Sequence, residues 1–112
     1  MKVPKLNRKL VLEAPVQAPD GAGGFAETWT VLGTVWGAVK LGTGRETQPA
    51  GLSVSSMSYR ITVRAAPDGA PSRPMPGQRF VEGTRRFRIF AVGEADAGVQ
   101  YLTCFVREEV TT

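Results

Sequence analysis

The sequence contains no histidine and a single cysteine, Cys104, among its 112 residues. One cysteine cannot form an intramolecular disulfide, and without histidine no Cys/His zinc site can be assembled. The same absence removes the commonest general base at neutral pH and excludes both Ser–His and Cys–His nucleophile pairs. Long apolar runs are missing too. Thr28–Val39, the longest stretch without Lys, Arg, Asp or Glu in the first half, has twelve residues, too few for a helix to span a bilayer. Met1–Lys9 is basic, but Glu13 and Pro15 follow before an apolar segment can develop, so no ordinary signal peptide is expected. Three aspartates remain as candidate acids. Asp20 and Asp68 each lie in a Pro-Asp-Gly turn and Asp96 lies in Gly93–Gly98, settings where Asp hydrogen-bonds its own backbone. No catalytic residue, cofactor, metal or small-molecule substrate is predicted, and the chain is not expected to be an enzyme.

Charge is present but unevenly placed. Fourteen basic residues against ten acidic give a net charge of +4, which suggests a nucleic-acid or acidic partner. Four of the basic residues, Lys2, Lys5, Arg8 and Lys9, fall in the first nine positions, where there is no acid. The rest of the chain therefore carries ten of each sign. We divide the sequence into a basic N-terminal arm, residues 1–9, and a single β-barrel domain, residues 10–112.

Glycine and proline supply 13 and 8 residues and cluster at Pro15–Gly24, Gly42–Gly51, Ala66–Gly77 and Gly93–Gly98. Between the clusters lie segments rich in Val, Thr, Ile and aromatics, the pattern of strands separated by turns. No window shows helical apolar spacing among good helix formers. The expected strands are Arg8–Ala14, Phe25–Leu41, Met57–Arg64, Gln78–Val81, Thr84–Val92 and Gln100–Glu108. The third alternates Met57, Tyr59, Ile61 and Val63 against Ser58, Arg60, Thr62 and Arg64, one buried and one solvated face. Glu82-Gly83 marks a tight hairpin between the fourth and fifth, and Phe87, Ile89 and Ala91 form the inner face of the fifth. Gly33 and Gly37 inside the second predict a bulge or a sharp bend. The fold class is all-β, a small six-stranded antiparallel barrel or sandwich with at most one short helix.

Several segments carry candidate functions. Gly42–Ser53 is a polar loop of twelve residues joining the two longest strands, and loops of that length inside a compact domain are commonly functional. Gly42–Thr47 faintly resembles a phosphate loop but lacks the Gly-Lys-Ser/Thr end. Arg79, Arg85, Arg86 and Arg88, with Arg60 and Arg64 on another strand, have two readings. Paired with Glu82, Glu108 and Glu109 they form a solvated face; unpaired, they form stripes that follow a phosphate backbone. Trp29 and Trp36, seven residues apart, point to opposite faces unless a bulge near Gly33 resets the phase. One is then core and the other an anchor for a subunit contact. Trp36, Tyr101 and Phe105 are the candidate subunit-contact residues, and Cys104, alternating with Leu102 and Val106, reads as a small buried hydrophobe.

Taken in order, these elements resemble the head-closure (stopper) or head–tail joining family of tailed phages and phage-like particles such as prophages and gene transfer agents. The matching features are Leu6–Glu13, where a basic arm enters the first strand, and a Trp-containing strand ending Val35-Trp36-Gly37-Ala38-Val39. Gly44-Arg45-Glu46 opens the polar loop, and Tyr59-Arg60-Ile61-Thr62-Val63-Arg64 ends the next strand. The closing pair is Arg86–Val92 and Tyr101-Leu102-Thr103-Cys104. The resemblance implies a connector subunit in the virion at the head–tail interface, assembled in the bacterial cytoplasm. It implies a sixfold or twelvefold homo-oligomeric ring, a portal–adaptor ring above, a tail terminator or tail protein below, and packaged DNA in the channel. It places Gly42, Thr43, Gly44, Arg45, Glu46, Thr47 and Gln48 in a channel-facing loop. For the arm residues Lys2, Lys5, Arg8 and Lys9 the neighbouring ring, an acidic surface and DNA all remain open as contacts. No membrane partner is implied. The reading from the residues alone leaves a second possibility, a monomeric β-barrel that binds nucleic acid through its arginine stripes.

Overall fold

A computed structural model describes residues 4–42, 57–67, 69–95, 98 and 100–109. Six strands follow one another along the chain: β1 Arg8–Pro19, β2 Phe25–Leu41, β3 Met57–Arg64, β4 Arg79–Glu82, β5 Arg85–Glu94 and β6 Tyr101–Glu109. They close into a barrel in the order β1-β2-β3-β6-β5-β4, antiparallel at every seam. Closure removes the exposed sheet edges that would otherwise template aggregation. The expected third strand coincides with β3. The expected second strand coincides with β2 as well, the boundaries of the fourth, fifth and sixth differ by one or two residues, and β1 runs five residues further than Ala14.

The alternation of β3 fixes the interior. Ile61 and Val63 meet Leu10 and Leu12 of β1, Phe80 of β4, Phe87 and Ile89 of β5, and Leu102, Cys104 and Val106 of β6, all fully or almost fully buried. The Phe87 ring meets Tyr59 edge-on at a centroid distance of 5.5 Å, a favoured aromatic geometry. Gly37 lies where β2 leaves β1 and joins β3: it pairs with Arg8 on one side and Val63 on the other. A Cβ there would stand 3.0 Å from Leu10 Cδ1 and 3.1 Å from Ile61 Cγ2. A larger residue would have to push these neighbours back by a few tenths of an ångström, so glycine lets β2 pass closest to the core here. The β4–β5 hairpin is closed by Gly83 and Thr84, with Gly83 at φ +61°, as a two-residue primed turn requires.

Two bulges shift the strand phase. In the β1–β2 pair Leu12 faces Gly33 while Glu13 faces Val31, so Leu32 is the extra residue. In the β5–β6 pair Ile89 faces Val106 while Ala91 faces Phe105, so Phe90 is the extra residue. The second bulge corrects the expected inner face of β5. After it, Val92 and not Ala91 packs against the core, and Phe90 is turned to the surface.

Candidate functional site

One mouth of the barrel is closed by charge. Arg8, Glu82, Arg85 and Glu108 all fall on inward-facing positions of their strands, one step beyond the apolar layer. Arg8 Nε donates to Glu82 Oε2 at 2.6 Å, and its Nη2 also meets Glu82. Arg85 Nε and Nη2 donate to Glu108 at 2.8 and 3.1 Å. The Arg85 guanidinium lies over the rings of Phe87 and Tyr59, 4.9 and 5.6 Å from their centroids. Planar bidentate pairing of this kind is the strong form of charge-assisted hydrogen bond. The hydrogen bonds from Arg8 and Arg85 hold the carboxyls of Glu82 and Glu108 below their usual range, and both guanidinium groups are held above theirs. Segment 43–56 leaves from this mouth at Gly42, whose N–H donates to Ser58 O at 2.8 Å, and returns at Met57. The N-terminal arm enters here as well.

The opposite mouth carries the Ala66–Gly77 connection and a projecting ribbon. Pro74 is buried, Arg73 Nη1 donates to Ala66 O at 2.8 Å, and Gly77 N donates to Ile89 O at 2.9 Å. The ribbon is made by Ala14–Pro19 of β1 and Phe25–Thr30 of β2, which pair only with each other among the described residues. At about 3.3 Å per residue its six β1 positions extend about 20 Å. Its tip is built by Asp20, whose Oδ1 accepts from the N–H groups of Ala22 and Gly24 at 2.8 and 3.0 Å. Those bonds lower the Asp20 pKa, and the turn role expected for this aspartate is observed. At the ribbon's base Trp29 lies under two guanidinium groups, those of Arg79 at 4.0 Å and Arg88 at 5.3 Å from its ring. Arg79 also pairs with Glu13 at 2.7 Å, and Arg88 with Glu27 at 3.4 Å. Beyond this clamp Phe25 is 69% exposed, and on its barrel side Val31 is 61% exposed.

A third surface is the outward face of β2, β3 and β6. Lys40 and Arg60 are direct cross-strand partners, and Arg60 faces Phe105. A shallow cleft of about 390 Å³ runs along Lys40, Leu41, Arg60, Thr62 and Thr103. A second, of about 550 Å³, adjoins it along Lys5, Asn7, Ala38, Val39 and again Lys40 and Thr62. Neither lining contains an acidic residue.

The structure separates the arginines that the sequence groups together. Arg79, Arg85 and Arg88 are ion-paired, as the first reading expects, but with Glu13 and Glu27 as well as Glu108 and Glu109. Arg88 belongs to the solvated face, whereas Arg85 lies at the barrel mouth and the Arg79–Glu13 side chains are only 13% and 15% exposed. Among the described residues, Arg60 and Lys40 have no carboxylate partner within 4.0 Å. Of the candidate arm residues, Arg8 opens β1 and belongs to the charged mouth, Lys5 and Lys9 are exposed, and Lys2 lies outside the described residues. Of the candidate channel loop, Gly42 closes β2, while Thr43, Gly44, Arg45, Glu46, Thr47 and Gln48 lie outside the described residues, as do Asp68 and Asp96. Trp36 is 54% exposed. Tyr101 is 8% exposed, with Arg64 6.0 Å from its ring centroid. Phe105 is half-buried beside Phe90, ring centroids 6.4 Å apart. Both tryptophans lie on the outer side of the barrel, because the bulge at Leu32 resets the phase between them. The ribbon was not anticipated, although a Pro-Asp-Gly turn flanked by residues compatible with strands on both sides is its signal. Cys104 is buried, and burial pushes its thiol pKa up to about 12, so it is inert. Among the described residues no group of three or more His, Cys, Asp or Glu side chains could hold a metal ion.

Comparison with known proteins places this geometry. No curated protein matches the chain. Among solved structures it is similar to a chain of the virion of a native gene transfer agent particle, with 50% identity and a TM-score of 0.81, covering 98% of this chain and 100% of that one. It also shares the fold of protein SF1141 from Shigella flexneri 2a, with 23% identity, a TM-score of 0.69 and complete coverage of both chains. The model of the phage head completion protein family matches residues 1–109. The chain therefore belongs to the phage head completion protein family, a component of the phage virion.

Proposed function

We propose that this chain is a structural, non-enzymatic connector subunit of a tailed phage or phage-like particle, forming a homo-oligomeric ring between the portal–adaptor ring and the tail. In this reading the ring retains packaged DNA and presents the surface on which the tail docks. The observation that carries it is the end-to-end match, at 50% identity, to a chain of a gene transfer agent virion. The architecture supports it. Segment 43–56 and the basic arm share one end of the barrel, and the Ala66–Gly77 connection lies at the other, so one subunit can meet two neighbouring layers at once. The loop Gly42–Ser53 balances one Arg against one Glu. That suits DNA passage, since a strongly basic constriction would hold the phosphates.

Deleting Gly42–Ser53 tests the loop's role. The barrel should still fold, rings should still be seen by electron microscopy at the head–tail junction, and the heads should lose their DNA. DNA-tight heads after that deletion would refute the channel-loop assignment, and absence of the chain from the junction would refute the connector reading itself.

A further inference from the structure

The ribbon is an element without a complete environment. A two-stranded hairpin is marginal in water without a third strand or a packed face, and this one extends beyond the clamp at Trp29 with Val16 and Phe25 exposed, while Val31 is exposed at its base. Its charge is one-sided. Residues 14–39 contain two acids, Asp20 and Glu27, and no Lys or Arg; Glu27 is paired with Arg88, so the charge left at the ribbon is that of Asp20 at its tip. The groove on β2, β3 and β6 is its opposite. It holds Lys5, Arg8, Lys40 and Arg60 with no acid in its lining, and its apolar residue Leu41 is 60% exposed. Lys40 and Arg60 are like charges directly opposed across a strand pair, an arrangement that destabilises a sheet unless an anionic group lies over it. Ribbon and groove leave the barrel in different directions, so joining them between copies is heterologous, head to tail. Such contacts generate rings when the rotation closes.

We propose that the β1–β2 ribbon is a clasp that lies in the basic groove of β2, β3 and β6 on the next copy of this chain. The inference rests on the ring reading above and assigns the surfaces that build the ring. Exposed apolar side chains at the ribbon and the groove rim favour a protein occupant over nucleic acid, which would leave Phe25 and Val31 uncovered.

The test uses particles assembled with a Phe25→Cys/Arg60→Cys chain, treated with a flexible bismaleimide and separated under denaturing conditions. Both positions are exposed, and buried Cys104 does not react. A second chain, Val16→Cys/Lys40→Cys, repeats the test should the first fail to fold, and Phe25→Cys/Thr84→Cys is the control. A ladder of covalent multimers is expected, about tenfold above the control, as for a docked pair at millimolar effective concentration compared with free chains near 0.1 mM. Rings that are visible by microscopy yet give no more ladder than the control would overturn the clasp and leave the ring reading intact. Particles without rings would overturn the ring reading, and the clasp with it. A ladder that appears only after nuclease treatment would identify the groove as a DNA site and also overturn the proposal.

Discussion

The charged barrel mouth makes a pH-dependent prediction that can be worked through. Glu108→Gln keeps the size and one acceptor of the side chain while removing its charge and one of the two bonds to Arg85. Fully shielded, a hydrogen bond to a charged group contributes about 1.5–3 kcal/mol, whereas exposed pairs contribute about 0.2–1 kcal/mol. The side chains of Arg85 and Glu108 are 38% and 22% exposed, so the loss at neutral pH is about 1 kcal/mol once solvent screening is allowed for. For a domain of this length that lowers the melting temperature by about 4 °C. The sign with pH follows from linkage. The folded-state pKa of Glu108 is depressed, so its contribution is full above the unfolded value, near pH 4.3, and is lost as pH falls through the folded value. Below both, Glu108 is protonated and neutral like glutamine. Urea unfolding of the two chains at pH 7 and pH 3 should therefore show a penalty of about 1 kcal/mol at the higher pH that largely closes at the lower. An equal penalty at both pH values, or none at pH 7, would refute a charge-based closure of the mouth.

Two further predictions concern the ribbon base and the core. Trp29→Ala removes the surface against which Arg79 and Arg88 stack, so backbone amides of Ala14–Pro19 and Phe25–Thr30 should exchange faster with deuterium while those of β3 and β6 keep their protection. Cys104 holds its proton in the native state up to about pH 12, whereas the unfolded thiol releases it above about 8.5. Stability should therefore fall as pH rises from 8.5, by about 1.4 kcal/mol per unit, and the Cys104→Ala chain should lack that component of the slope in parallel urea titrations.

The strands were legible because each interior position is set by short-range alternation. In β3, Ile61 and Val63 alternate with Arg60, Thr62 and Arg64, and no other register buries the first pair. The hairpin at Gly83 was legible for the same local reason. The bulges were not. Inserting Leu32 or Phe90 as an extra residue depends on how the partner strand crosses the barrel, and nothing in FAVGE distinguishes a bulge at Phe90 from unbroken alternation through Ala91. The two tryptophans show how far such a shift reaches: one extra residue at Leu32 moves both to the outer side.

Pairing of the arginines lay beyond the sequence because it is made between distant positions. Arg8 and Glu82 are 74 residues apart and Arg79 and Glu13 are 66 apart, so only barrel closure brings them together. This pairing decides where the net charge is expressed. Arg8, counted by sequence in a free arm, is spent inside the mouth, and Arg79, Arg85 and Arg88 are neutralised locally. The described cations without a carboxylate partner within 4.0 Å include Lys5, Lys9, Lys40 and Arg60 on the β1–β2–β3 side, and also Arg64, Arg86 and Arg107 on β3, β5 and β6. Basicity that looks like a property of the arm is thus spread over the barrel surface, and among these cations the directly opposed cross-strand pair is Lys40 with Arg60. That pair is where the proposed clasp would place the ribbon of the next copy, and a head-to-tail contact between two different surfaces of one chain is the kind that generates a ring when the rotation closes.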